Sequence, residues 1–203
     1  ATVGILGLSF KPNTDDMRWD AGIVTEAALG NFVWEDYNAN GIQDAGEPGV
    51  PGVTVRLLNS SNGAIDNPND NIVGNPYTVT TDASGYYAFV GLPPNFTYHV
   101  RFDRPSGFIW TRGNQGADDT VDSDGVVVTV NSANITTGDI TTLTPGSTDN
   151  NWDQGVVQPS NLGDRVWVDI NDNGIQEGAE VGLAGGTVGL LVSAGNPVED
   201  PNT

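Results

Sequence analysis

The segment Leu29 to Glu47, LGNFVWEDYNANGIQDAGE, returns as LGDRVWVDINDNGIQEGAE from Leu162 to Glu180, a displacement of 133 residues. A period that long is the length of a whole domain, not of a hairpin or a single-helix repeat. The chain therefore reads as a tandem array. Residues 1–28 form an N-terminal arm or extraneous segment, and 29–157 form a complete module. Residues 158–161 (QPSN) are a linker, and 162–203 begin a second module that carries too few strands to close its own sheet. So short a linker predicts restricted motion between modules.

Within the first module the apolar period is two. Val53, Val55 and Leu57 alternate with Thr54 and Arg56, and Tyr98, Val100 and Phe102 alternate with His99, Arg101 and Asp103. Further strands are expected at 29–35, 77–81, 86–90, 126–130 and 152–157. Turn-forming runs such as Asp82-Ala83-Ser84-Gly85, Leu92-Pro93-Pro94-Asn95 and Ser123-Asp124-Gly125 separate them. About seven short strands with no helical period predict an all-β fold, an antiparallel Ig-like β-sandwich repeated in tandem.

The charge balance narrows the partners. With 26 acidic residues against seven basic ones, the formal charge is -19. Such a field repels phosphate backbones and anionic lipid, which need clustered Lys or Arg, so nucleic acid is excluded as a partner. It attracts cations. The chain has no cysteine, which removes disulfides and thiolate metal sites. No apolar run approaches membrane-spanning length, so no membrane insertion is expected in this segment. An N-terminal Ala suits a processed or excerpted chain, with a secretion signal expected to be removed or to lie outside this segment.

Asp36 to Glu47 matches the calcium-loop pattern D-x-[DN]-x-[DN]-G-x5-E at every defined position. Calcium takes six to eight hard oxygens, which Asp36, Asn38, Asn40, the Ile42 carbonyl, Asp44 and Glu47 would supply around the turn at Gly41. The second copy repeats the set as Asp169, Asn171, Asn173, Ile175, Glu177 and Glu180. A solvated Asn/Gly-rich turn is the competing reading, since Asx side chains bond their own backbone well. Both loops are flanked by strands, which points to a fixed structural site, not a sensor that opens a helix pair. A second acidic run, Asp118, Asp119, Asp122 and Asp124, is a further calcium candidate of no fixed template, against an exposed acidic turn. Asp149 and Asp153 could add oxygens that spacing alone does not place.

Several of these strings together resemble one family. Gly30 to Asp36, Asn40-Gly41-Ile42-Gln43, Glu47 to Val55, Thr81 to Phe89 with Gly91-Leu92-Pro93, and Asp118 to Gly125 are similar to B-type repeats of Gram-positive serine-aspartate-repeat adhesins. More broadly they resemble the prealbumin-like sandwiches of collagen-adhesin B-type modules. The resemblance covers about 29–157 and the stub from 162. It implies a cell-surface, extracellular, calcium-rigidified stalk whose partners are neighbouring modules or subunits. Some relatives cross-link Lys to Asn inside each module. The one lysine here, Lys11, lies outside the repeat, which leaves calcium as the expected staple.

Residues 3–18 do not fit this pattern. VGILGLSFKPNTDDMR resembles a segment of nucleotide-sugar 6-dehydrogenases. The chain lacks the Cys nucleophile and the G-x-G-x-x-G such an enzyme requires, so no enzymatic activity is expected. The apolar stretch 2–10 could instead add a strand to a neighbouring sheet, giving head-to-tail assembly into a filament. His99 is expected on the polar face of its strand, without partners for a triad or zinc centre. Trp34 and Trp167, at matched repeat positions, are expected in the core or at a junction. Exposed aromatics stacking on glycans, or another extracellular ligand, form the second functional reading. Asn59, Asn95 and Asn134 begin glycosylation acceptor triplets, meaningful in a host that uses them.

Overall fold

Alternation places every second side chain of each strand on one face, and a computed structural model brings those faces together as two sheets. The structure describes residues 25–126, 131–141, 143–191, 193, 196 and 197. The string at 3–18, the arm at 2–10 with Lys11, and residues 127–130 of the expected strand at 126–130 lie outside the described residues. The chain divides into two units, Ala1–Gln158 and Pro159–Thr203.

In the first unit the strands are β1 (Ala27–Glu35), β2 (Thr54–Asn59), β3 (Thr78–Thr80), β4 (Tyr86–Leu92), β5 (Tyr98–Asp103), β6 (Ile109–Trp110), β7 (Asn134–Thr136), β8 (Thr148–Asp149) and β9 (Gln154–Val157). One sheet runs β4-β1-β9-β6 with β8 also on β1, and the other runs β3-β2-β5-β7. Leu29, Val33, Phe89 and Val156 of the first face Val55, Leu57, Val100 and Phe102 of the second, all fully buried. Tyr87 meets Phe102 edge-on at 5.5 Å and Tyr77 meets Phe89 at 4.9 Å, the arrangement aromatic quadrupoles favour. The expected all-β, mainly antiparallel sandwich is the fold observed. No described helix is long and apolar enough to cross a membrane.

Sequence reasoning missed three strands. β6, β7 and β8 have two or three residues each, too few to show an alternation. Pairing also departs from the antiparallel expectation at β1, where β8 and β9 both run parallel to it. β9 inserts between β1 and β6, antiparallel to β6, with Trp34 opposite Gly155. That register sets Asp153, one residue before β9, beside β1, where its Oδ1 accepts from Phe32 N at 3.0 Å.

Close backbone approach fixes where β1 ends. Gly49 forms a bridge with Trp34, and a Cβ built on it would fall on the Ser84 carbonyl oxygen, which belongs to backbone and cannot swing aside. Gly49→Ala should therefore cost about 2–4 kcal/mol. The expected drop is about 10 °C in a calorimetric melt, and an unchanged melt would show that the turn at Ser84 yields freely.

His99 departs from its expected exposure. It is about nine-tenths buried, with Nδ1 2.7 Å from Asn62 Oδ1 and Nε2 2.6 Å from Asp139 Oδ1. The turn from Asn59 to Gly63 that follows β2 and the segment after β7 cover what strand alternation alone would leave in water.

The second unit repeats the start of the first. Trp167 bridges Gly182, Val168 N donates to Val181 O at 3.0 Å and Leu183 N donates to Val166 O at 2.8 Å. The matched contacts of the first unit are the Trp34 bridge to Gly49, Glu35 N to Pro48 O at 2.9 Å and Val50 N to Val33 O at 2.7 Å.

Candidate metal centre

The twelve-residue loop leaves the end of β1. Asp36, almost fully buried, accepts from Asn40 N (3.2 Å) and Gly41 N (2.8 Å), and from the Thr111 hydroxyl (2.5 Å) just after β6. Asn38 Oδ1 accepts from Asn40 N at 3.0 Å, and Asn40 Oδ1 from Ile42 N at 2.7 Å. Both asparagine amides donate to Asp44 Oδ2, at 2.8 and 2.9 Å. Glu47 closes the loop by accepting from Tyr37 N and Asp44 N, each at 2.9 Å. A positive φ at Gly41 (82°) makes the turn, and Ala39 (57°) is held left-handed beside it.

The second loop repeats these bonds residue for residue. Asp169 accepts from Asn173 N (3.2 Å) and Gly174 N (2.7 Å), which hold its carboxyl below the usual Asp range. Asn171 and Asn173 donate to Glu177 (2.9 and 3.0 Å), Asn173 Oδ1 accepts from Ile175 N (2.7 Å), and Glu180 accepts from Ile170 N and Glu177 N (3.0 Å each). In both copies these bonds tie the sequence-predicted side chains to one another and to the loop backbone.

The acidic run resolves differently. Ligand oxygens of Asp119, Asp122 and Asp124 lie within 4.8 Å of one another, with Asp122 and Asp124 buried. Asp118 stands apart from the trio, its Oδ1 accepting from Thr120 N and Oγ1 to form a local turn. Asp153 faces Asp124: Asp153 N donates to Asp124 Oδ2 at 2.5 Å, and Asp124 N to Asp153 O at 3.0 Å. Burial pushes Asp124 up to about 8 and Asp153 up to about 7, and it raises Asp122, with the nearby Asp119 charge adding to that rise.

Among the described residues, two buried side-chain oxygens lack a hydrogen-bond partner, Asp122 Oδ1 and Gln154 Oε1. Gln154 spends its amide on Ser123 Oγ (2.8 Å) and Gly155 O (2.8 Å), so it adjoins the same run. Orphaned buried oxygens are costly, and three carboxylates at this spacing repel. A hard cation among Asp119, Asp122 and Asp124 would offset their repulsion and take up the Asp122 Oδ1 lone pairs, so this carboxylate set fits calcium.

The two acidic elements also touch. Ile42 bridges Asp122, Gln43 N donates to Val121 O at 2.7 Å and Ser123 N donates to Gly41 O at 3.2 Å. Exposed aromatics among the described residues are scattered: Tyr37 and Phe96 lie in separate loops, Tyr86 on β4 meets Phe32 edge-on, and the hollow formed by Ala64, Ile65, Asp66, Gly74 and Pro76 holds none.

Residues 27–156 match the model of the SdrD B-like domain. The chain belongs to this family. Serine-aspartate repeat-containing protein F of Staphylococcus epidermidis is 40% identical over 177 residues, 86% of this chain and 9% of that protein. Serine-aspartate repeat-containing protein D of Staphylococcus aureus (strain Newman) is 39% identical over 179 residues, 87% of this chain and 12% of that protein. The chain thus spans about a tenth of the length of these relatives. Among solved structures, the minor pilin GBS52 of Streptococcus agalactiae matches with a TM-score of 0.39 and 13% identity, covering 70% of this chain and 50% of that one. The Asp36–Glu47 loop and the Asp118–Asp124 run fall inside the matched span, and the loop at Asp169–Glu180 lies beyond it.

Proposed function

We propose that this chain is a non-enzymatic, calcium-stabilised structural module of an extracellular cell-surface protein, arranged in tandem as a rigid stalk or filament subunit. The observation that carries the reading is the pocket of Asp119, Asp122 and Asp124 with its unpartnered buried Oδ1. A cation there joins the run before residue 126 to the start of β9 through Asp124 and Asp153, and so ties distant chain segments together. The Asp36–Glu47 loop adds a second tie between β1 and Thr111. Calcium binding the folded form alone shifts folding toward it. Membership of the SdrD B-like family, shared with relatives named as serine-aspartate repeat-containing proteins, supports this reading. Residues 2–10 adding a strand to a neighbour would extend the same reading to head-to-tail assembly.

Negative-stain imaging of the intact multi-module protein tests the role. Straight, stiff particles in millimolar calcium should become bent or collapsed in excess chelator. Identical outlines in both buffers would end the calcium-stiffened stalk reading.

A further inference from the structure

We propose that the outer edge of β3 is a self-association site, on which a second copy of this chain lays its own β3 antiparallel across a two-fold axis through Val79. The pairing needs no cation and goes beyond the calcium reading above.

A sheet ends in strands whose outer N–H and C=O groups must find water, a side chain or another strand. Among the described residues, three of the sandwich's four edges are closed. On β4, Asp82 Oδ1 accepts from Tyr86 N at 3.0 Å and Asp82 N donates to Tyr86 O at 2.9 Å. Further along, the Tyr77 hydroxyl accepts from Val90 N at 2.9 Å and donates to Val90 O at 3.0 Å. β7 carries Val126 on its outer side, with Val126 N donating to Thr136 O at 3.0 Å. β6 has two residues, and Phe108 O just before it accepts from Arg104 Nη1 at 2.6 Å.

β3 is open. Leu57 N donates to Tyr77 O and Thr81 N to Val53 O, each at 3.0 Å, and Val79 stands opposite Val55, so residues 77, 79 and 81 aim their backbone groups at β2. Alternation then turns the N–H and C=O of Thr78 and Thr80 outward, and both residues are exposed. The usual guards of an edge are missing: Tyr77-Thr78-Val79-Thr80-Thr81 contains no charge, no Pro and no Gly.

Two observations favour a second copy over an unrelated strand. The run Thr78-Val79-Thr80 reads the same in both directions, so antiparallel pairing about Val79 sets Thr78 against the partner's Thr80 and Thr80 against the partner's Thr78. Each of these pairs exchanges two hydrogen bonds, and directly opposed threonines stabilise a shared face. Charge selects the same place. Copies of a chain with a formal charge of -19 repel, but β2 and β5 beside this edge carry Arg56 and Arg101 against one acid, Asp103. Close approach is least opposed there. Three residues make a weak pair for one module, and a tandem array that repeats the pair gains strength by linkage.

The chain has no cysteine, so a cysteine added at one exposed position reports the register. In the proposed pair, Thr78 and the partner's Thr80 stand about 5.5 Å apart at Cα, within disulfide reach. The two copies of Thr78, and the two of Thr80, lie on diagonals of about 7–8 Å, outside the usual range. Full-length Thr78→Cys and Thr80→Cys chains oxidised as an equal mixture should therefore give severalfold more disulfide-linked dimer on a non-reducing gel than either chain oxidised alone. Dilution of the native chain, followed by 15N NMR, reads the same edge without substitution: the Thr78 and Thr80 amides should shift with concentration, and the Val79 amide, which faces Val55, should shift less. Equal dimer yields in all three samples, or Thr78 and Thr80 amides that ignore concentration, overturn the proposal. Amides that shift with no excess cross-link in the mixture place another segment on this edge, such as residues 2–10 of a neighbour, and overturn the two-fold pair as well.

Discussion

Asn in place of Asp122 should move the melting temperature in opposite directions with and without calcium. In a metal-free buffer the native carboxylate is a liability: it is buried, its Oδ1 has no donor, and Asp119 and Asp124 crowd it. An amide of the same size removes one repelled charge, which is worth about 1–2 kcal/mol and raises the melt by several degrees. In calcium the same change deletes a charged ligand. A site held at a hundred times its Kd stabilises by about 2.7 kcal/mol, so losing it lowers the melt by about 10 °C. Calorimetry in stripped and calcium-loaded buffers reads both signs, and an equal fall in both would make Asp122 a packing residue.

Asp36 is a poorer probe than its place at the head of the loop suggests. From sequence alone, Asp36→Ala or Glu47→Ala should weaken only the calcium form. The Asp36 carboxylate, however, satisfies Gly41 N and the Thr111 hydroxyl in a nearly waterless site. Truncating it strands those donors whether or not calcium is present. Glu47 likewise holds Tyr37 N and Asp44 N.

The contrast marks how far the sequence could be read. Spacing within twelve residues is local information, and the turn that both loops make is legible in the sequence, as are β1, β2, β4 and β5, whose alternation is long enough to count. The pocket is not local. Asp119, Asp122 and Asp124 come together with Asp153 and Gln154 only because β9 enters the sheet parallel to β1, and no pattern in the acidic run announces a partner some 30 residues downstream. Asp118 is equivalent to its neighbours in sequence, but its own turn with Thr120 sets it apart. His99 departs from expectation for a similar reason: alternation says which way a side chain points, while burial depends on the Asn62 turn and on Asp139 laid over it by later chain.

Mild acidity should stabilise the metal-free module. Burial holds Asp124 at about 8 and Asp153 at about 7 in the fold, against about 4 in the unfolded chain. A carboxyl whose pKa rises on folding contributes stability that is complete below the unfolded value and disappears as pH climbs through the folded one. Between pH 4 and 8 the folded form therefore carries more protons than the unfolded form, and stability falls with rising pH by as much as ~1.4 kcal/mol per pH unit per extra proton. The two groups share their repulsion, so the whole change is on the order of a few kcal/mol, not the sum of two independent shifts. Asp70, Asp82, Asp118 and Asp169, held low by hydrogen bonds, act oppositely but only below about pH 4. Calcium supplies the positive charge that protons otherwise provide, so its stabilising effect should grow from pH 5 to pH 8 as the competing protons leave. Thermal melts across that range should slope downward in stripped buffer and flatten or reverse in calcium, and Asp124→Asn should remove much of the metal-free slope. A stripped protein whose melting temperature holds level or rises from pH 5 to 8 would mean that water reaches these carboxylates and that the pocket is not the dry, charge-strained site from which the calcium reading starts.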